Sequence, residues 1–238
     1  AILLHDIGHG PYSHALEYHI LPYHHEELTL AYMNVLNREF DQNLGLAIEI
    51  FQNKYPRPFF HQLVSSQLDC DRMDYLNRDS YYTGVSEGKI GYERLIYMMN
   101  VTEDHLVFEE KAIWSIEKFL TARQIMYWQV YLHKASLAAE NLLVNFIKRL
   151  QSRHNHRIDL PGKLPELLNL KNSIVIDRNI ENIIVPLHSQ IDDSDVDFAL
   201  KYEINSTDNV LKYLSNSLLN RKLLTIKWGD FSKQSDFL

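Results

Sequence analysis

The chain has 238 residues, 45% apolar and 23% charged, with a formal net charge of -7. This is an ordinary globular composition, long enough for one large domain or a core with a smaller appendage. A single cysteine, Cys70, excludes an intrachain disulfide; no apolar run approaches the roughly 20 residues a membrane span needs, and the acidic balance without a basic block argues against nucleic acid as a partner.

Helical periodicities dominate in chain order. The chain opens on an apolar run, Ala1 to Leu4, that reads as the second half of a helix whose first half lies upstream, with the helix ending near Ile7 ahead of Gly8, Gly10 and Pro11. Ser13 is expected to cap a short helix through Ile20. Further helices are expected over residues 26–40, 43–52, 59–68 and 71–82, the last closed by Gly84. After a turn flanked by Gly88 and Gly91 comes a helix through Met99. Alternation from His105 to Glu109 predicts a short strand.

Residues 112–150 lack Gly and Pro, but so long a tract predicts two helices or a kinked one. The polar segment 151–163, with its Pro-Gly, is read as a boundary between a core at 1–150 and a smaller subdomain at 151–238. There the pattern predicts a helix over 207–221, with Thr207 as N-cap, and a strand over 223–228. The expected fold class is mainly α, with a few short strands and an α(+β) C-terminal subdomain.

Two segments carry the chemistry. His5-Asp6-Ile7-Gly8-His9-Gly10-Pro11-Tyr12-Ser13-His14 sets an imidazole beside a carboxylate at the end of an apolar stretch. Burying both is costly unless a cation compensates, and mixed nitrogen and oxygen donors suit Mn, Fe, Co, Ni or Zn better than calcium. In Asp69-Cys70-Asp71-Arg72-Met73-Asp74-Tyr75-Leu76-Asn77-Arg78-Asp79, the side chains of Asp71, Tyr75 and Asp79 fall at i, i+4 and i+8. They share one helix face, with Arg72 beside it. His19, His24 and His61 read as polar core edges, and Trp114, Tyr127 and Trp128 as packing, as do Tyr81 and Tyr82.

These segments resemble the HD-domain superfamily, specifically its deoxynucleoside triphosphate triphosphohydrolase branch, which includes the bacterial dGTPases. A third match is Thr121-Ala122-Arg123 followed by Tyr131-Leu132-His133-Lys134, and together the three cover roughly residues 1 to 150. The resemblance implies a helical HD core that hydrolyses a deoxynucleoside triphosphate to deoxynucleoside and triphosphate, using a divalent ion (Mn, Mg, Fe, Co, Ni or Zn). It implies His5, Asp6 and Asp71 as metal ligands, with a further histidine on an earlier helix. His9, Arg72, Tyr75, Asp79, Arg123, Tyr131 and Lys134 would contact the nucleotide. His14 with Glu17 would form an imidazole–carboxylate pair, and His25 would be the proton donor.

Glu17, Arg72 and Leu132 stand where well-known members of that branch carry Asp, Lys and Gln; the last removes a polar contact near the nucleoside. The single cysteine fits a cytoplasmic location, and the resemblance implies a homo-oligomer, in some relatives activated by a second nucleotide. Two alternatives stay open: an HD phosphatase or phosphodiesterase acting on nucleoside monophosphates or cyclic nucleotides, and a non-catalytic nucleotide-binding regulatory module.

Overall fold

A computed structural model describes residues 1–152, 160–170 and 180–226. The fold is mainly α. A 3-10 turn at Ile2–Leu4 leads through turns at residues 5–8 into a second short 3-10 turn, Ser13–Ala15. The helices expected at both places are absent. Tyr12, Ser13 and Tyr18 take positive φ, and a side chain in that region cannot continue a right-handed helix.

The helices follow as α1 (His25–Glu39), α2 (Gly45–Phe51), α3 (Phe59–Val64), α4 (Cys70–Thr83) and α5 (Tyr92–Tyr97). His24 caps α1, exchanging hydrogen bonds with the first-turn residues Glu26 and Glu27. Asp69 caps α4 by accepting the Arg72 N–H at 2.8 Å, and Gly84 ends that helix at φ 74. A hairpin then pairs β1 (Met99–Thr102) with β2 (His105–Phe108), Met99 opposite Phe108. Strand β2 falls where alternation places it. Its partner β1 begins at Met99, where the helical pattern ends, and carries no expectation over residues 100–102, because Met-Asn-Val-Thr is too short to show a period. Positive φ at both Glu103 and Asp104 supplies the tight reversal.

The long tract divides into α6 (Ile113–Met126), a π-helical turn at Tyr127–Tyr131, and α7 (Lys134–Ser152), as its length predicts. Beyond it lie α8 (Leu164–Leu170), a π turn at Ile180–Ile184, α9 (Val185–His188), α10 (Asp193–Glu203) and α11 (Asn209–Leu219). Asp208, not Thr207, caps α11, accepting the N–H groups of Val210 and Leu211. The strand expected over 223–228 is not formed at residues 223–226, where no partner strand is present among the described residues. The rest of that expectation, and the middle of the boundary segment at 153–159, lie outside the described residues.

Two apolar clusters organise the packing. One joins Leu16, Ile20, Leu21 and Leu28 to α7, α8, α10 and α11 through Phe146, Leu150, Leu167, Val196 and Leu211, so both sides of residue 150 contribute to it. The other centres on Leu76, Leu95, Phe119 and Met126 of α4, α5 and α6. Trp114 and Trp128, read as packing, are instead 76% and 71% exposed, and Tyr81 and Tyr82 also face solvent. Helical spacing locates a face but does not say whether that face is covered.

Candidate active site

A cavity of about 810 Å³ opens among the loop at 5–14, the start of α1, α3, α4 and the π turn. Thr29, fully buried in α1, ties the loop down: it donates to the His5 carbonyl at 3.0 Å and accepts the Gly8 N–H at 3.0 Å. Gly8 is needed there, since a Cβ would lie 2.3 Å from the His25 carbonyl oxygen.

That anchoring brings His5 and Asp6 to Asp71. His5 Nε2 lies 3.3 Å from Asp6 Oδ1 and 3.4 Å from Asp71 Oδ1, and one donor atom from each residue falls within 4.8 Å of the others. His5 Nδ1 donates to the Ile2 carbonyl at 2.6 Å, so in the neutral ring Nε2 carries the lone pair. This atom is buried and has no hydrogen-bond partner among the described residues. A buried lone pair facing two carboxylates calls for a positive charge. The Asp71 carboxylate in particular, working against burial and helped by the Ile2 carbonyl and by Asp6, raises His5 to about 9. His5 in turn holds Asp71 below the ordinary carboxylate range. The donor set, one imidazole oriented by a backbone carbonyl and two carboxylates, fits a divalent ion.

Beside it lies a histidine cluster built on Glu17. Glu17 Oε1 accepts from the His25 ring at 2.7 Å and from the His25 backbone N–H at 2.8 Å, while Oε2 lies 3.0 Å from His14 Nδ1. Burial works to raise the Glu17 carboxyl, but those bonds to His25 and His14 hold it down to about 2. With both Nδ1 atoms engaged, the remaining nitrogens of His14 and His25 are free for a ligand, and both rings line the cavity. His9 stacks on His25 at 4.1 Å and 11°, and meets the edge of His14 at 4.7 Å. Burial first, and then repulsion from His25, depress His9 to about 4, so it is neutral near pH 7.

Asp71, Tyr75 and Asp79 all face the cavity from α4, as their spacing requires, and Arg72 and Arg78 flank them. Arg72 Nε is tethered to the Ser66 carbonyl at 2.7 Å and to Asp69 at 3.2 Å. The Tyr131 hydroxyl donates to Asp79 Oδ2 at 2.7 Å, which joins the π turn to α4. Arg123 sits behind this wall, 5.6 Å over the Tyr127 ring, and its Nε is buried without a hydrogen-bond partner among the described residues. Lys134 is exposed and does not line the cavity. The helix breaks at Leu132–His133, so the face carrying Tyr127 and Tyr131 does not continue into α7.

Sequence reasoning missed three contributions. His61 lines the cavity, with Nδ1 held by the Ile50 carbonyl at 2.9 Å. Thr29 and the link from Glu17 to His25 leave no local signal, because each joins segments separated by a loop.

Comparison with known proteins bears on this geometry. Residues 90–160 match the family described as HD associated region. A crystal structure of a phosphohydrolase from Bacteroides thetaiotaomicron is 46% identical and superposes with a TM-score of 0.88, covering 94% of this chain and 56% of that one. Together with the helical fold, these support an HD-domain phosphohydrolase.

Among curated proteins, the uncharacterized protein YwfO of Bacillus subtilis is 38% identical over 165 residues, 65% of this chain and 37% of that protein. The deoxynucleoside triphosphate triphosphohydrolase SAMHD1 homolog of Dictyostelium discoideum is 28% identical over 199 residues, 75% of this chain and 38% of that protein. The chain thus spans well under two thirds of the length of these relatives. No described helix is long and apolar enough to cross a membrane.

Proposed function

We propose that the protein hydrolyses deoxynucleoside triphosphates to deoxynucleoside and triphosphate, with His5, Asp6 and Asp71 holding a divalent ion. The observation that carries this reading is the buried Nε2 of His5, aimed between two carboxylates on the wall of a cavity that also holds the Glu17-linked histidines. When bound, such an ion neutralises phosphate charge and acidifies a water molecule.

The chain's own residues do the rest. Arg72 and Arg78, on the α4 wall, offset polyphosphate charge, and guanidinium groups bond phosphate oxygens in pairs. Arg123 acts from behind Tyr75 and Tyr127. Neutral His9 sits against the phosphates. His25, oriented by Glu17, is placed to protonate the leaving 5′ oxygen, and His14 shares the same carboxylate. Tyr75, Asp79 and Tyr131 form the wall against which a sugar ring would rest. By resemblance to its relatives we expect a homo-oligomer and a second nucleotide as activator, and from its single cysteine a place in the cytoplasm.

The test incubates full-length protein with each dNTP, with nucleoside monophosphates and with cyclic dinucleotides, in Mn, Mg, Co, Ni, Fe or Zn, and resolves triphosphate from phosphate. Release of intact triphosphate from a dNTP is expected. Release of phosphate from a monophosphate, or opening of a cyclic dinucleotide, would replace this reading with a phosphatase or phosphodiesterase. Nucleotide binding without turnover in any metal would favour a regulatory module.

A further inference from the structure

The turn between His9 and His14 contains two consecutive non-glycine residues in the left-handed region, Tyr12 at φ 56 and Ser13 at φ 48. Such a pair persists only where surrounding contacts over-determine it. The contacts come from far along the chain. The Tyr12 backbone N–H donates to Asp193 Oδ1 at 2.7 Å, and the Tyr12 hydroxyl donates to Asp197 Oδ1 at 2.5 Å.

Asp193 and Asp197 are i and i+4 on α10 and so project from one side of it. The neighbouring carboxylates have another job. Asp192 caps α10 and Asp195 completes its capping box, so the helix does not need Asp193 or Asp197 for its own termination. The same loop rests on α9: a Cβ at Gly10 would lie 2.9 Å from Nε2 of the buried His188. At the other end of the turn, Ser13 Oγ lies 3.1 Å from His9 Nδ1.

We infer that Asp193 and Asp197 are positioning residues for the active site: through Tyr12 they hold the Gly10–Ser13 turn in the conformation that sets His9 and His14 edge to face beside the metal-ligand triad. The C-terminal helices are therefore part of the scaffold of the site, although none of their residues enters the cavity with the triad. The proposal rests on the hydrolase reading for its kinetic arm only.

The experiment compares Asp193→Ala, Asp197→Ala, Asp197→Asn, Tyr12→Phe and the Tyr12→Phe/Asp197→Ala double variant in full-length protein. It measures kcat and KM, metal content, and the imidazole NMR resonances of His9 and His14. Asp193→Ala and Asp197→Ala should each lower kcat on the order of tenfold or more, because the displaced rings lie next to the reacting atoms. Metal content should stay within about twofold, since the triad is anchored separately by Thr29, and the loss should fall on kcat more than on KM. Asp197→Asn should recover most of the loss, as its amide oxygen still accepts the Tyr12 hydroxyl. Tyr12→Phe should match Asp197→Ala, and the double variant should be no worse than either single one.

In every impaired variant the His9 and His14 resonances should move. If Asp197→Ala does not fold, Tyr12→Phe, which removes a single oxygen, carries the same test. Unmoved resonances with wild-type kcat, or Tyr12 and Asp197 effects that multiply independently, overturn the proposal. If the wild type turns over no substrate, the hydrolase reading fails, and the resonances still decide the positioning question.

Discussion

Glu17 and His25 are joined twice, ring Nδ1 to Oε1 at 2.7 Å and backbone N–H to the same oxygen at 2.8 Å, across the loop that separates them. The carboxylate fixes both the start of α1 and the tautomer of the ring, so His25 presents Nε2 to the cavity. Glu17→Ala should therefore lower kcat by roughly 10²- to 10⁴-fold, the usual range for a positioned acid or base. Metal content should be unchanged, because Glu17 lies outside the His5, Asp6 and Asp71 group. Glu17→Asp should retain more activity than Glu17→Ala. Elemental analysis beside steady-state kinetics checks both statements, and loss of metal in Glu17→Ala would move Glu17 into the ligand set.

Asp6→Ala and Asp71→Ala remove a carboxylate from a gap where His5 Nε2 has no other partner among the described residues. Both variants should lose bound metal together with turnover, as should wild-type protein dialysed against a chelator. Readdition of the divalent ion should restore the dialysed wild type and neither variant. Wild-type turnover in metal-analysed Asp6→Ala protein would end the metal reading.

How much of this was legible depends on the distance over which a residue acts. The shared face of Asp71, Tyr75 and Asp79 follows from helical spacing alone, and all three do line one cavity. The meeting of His5 and Asp6 with Asp71 had to be carried by resemblance, because no local periodicity links a loop to a helix that far away. Tyr12, Ser13 and Tyr18 gave no warning of their positive φ; the helix read from Ser13 onward failed there. Lys134 rests on the resemblance of the Tyr131–Lys134 stretch alone, and the break at Leu132–His133 leaves it exposed and outside the cavity lining. Thr29 looks like any polar residue of α1, and only the folded loop shows that it holds both His5 and Gly8.

Tyr131 lines the cavity from the π turn, and Arg123 of α6 lies behind it against Tyr127. Arg123→Ala removes a positive charge from behind the Tyr75 and Tyr127 wall and should raise KM for a triphosphate by about tenfold, while kcat falls much less. Tyr131→Phe keeps the ring but frees Asp79, so its effect should depend on the sugar and be larger for the preferred nucleotide than for poor ones. Matched kinetics on deoxy- and ribonucleotides test this. Equal losses in kcat and kcat/KM for Arg123→Ala would mean that it acts in the transition state instead.

His188 offers a prediction about stability. Burial depresses this imidazole to about 4, below its ordinary value of 6.5, with the Tyr32 hydroxyl 2.8 Å from Nδ1. The folded chain therefore keeps His188 neutral where the unfolded chain would take up a proton. Its stabilising contribution is fully present above pH 6.5 and is lost as pH falls from there toward 4; the full loss is on the order of 3 kcal/mol. His9, depressed to about 4 as well, adds a term of the same sign. Urea unfolding at pH 7, 5.5 and 4.5 should show stability falling with pH. His188→Gln, which cannot titrate, should remove a distinct part of that slope even if it lowers stability at pH 7. An unchanged slope in this variant would mean that His188 takes up its proton equally in the folded and the unfolded chain.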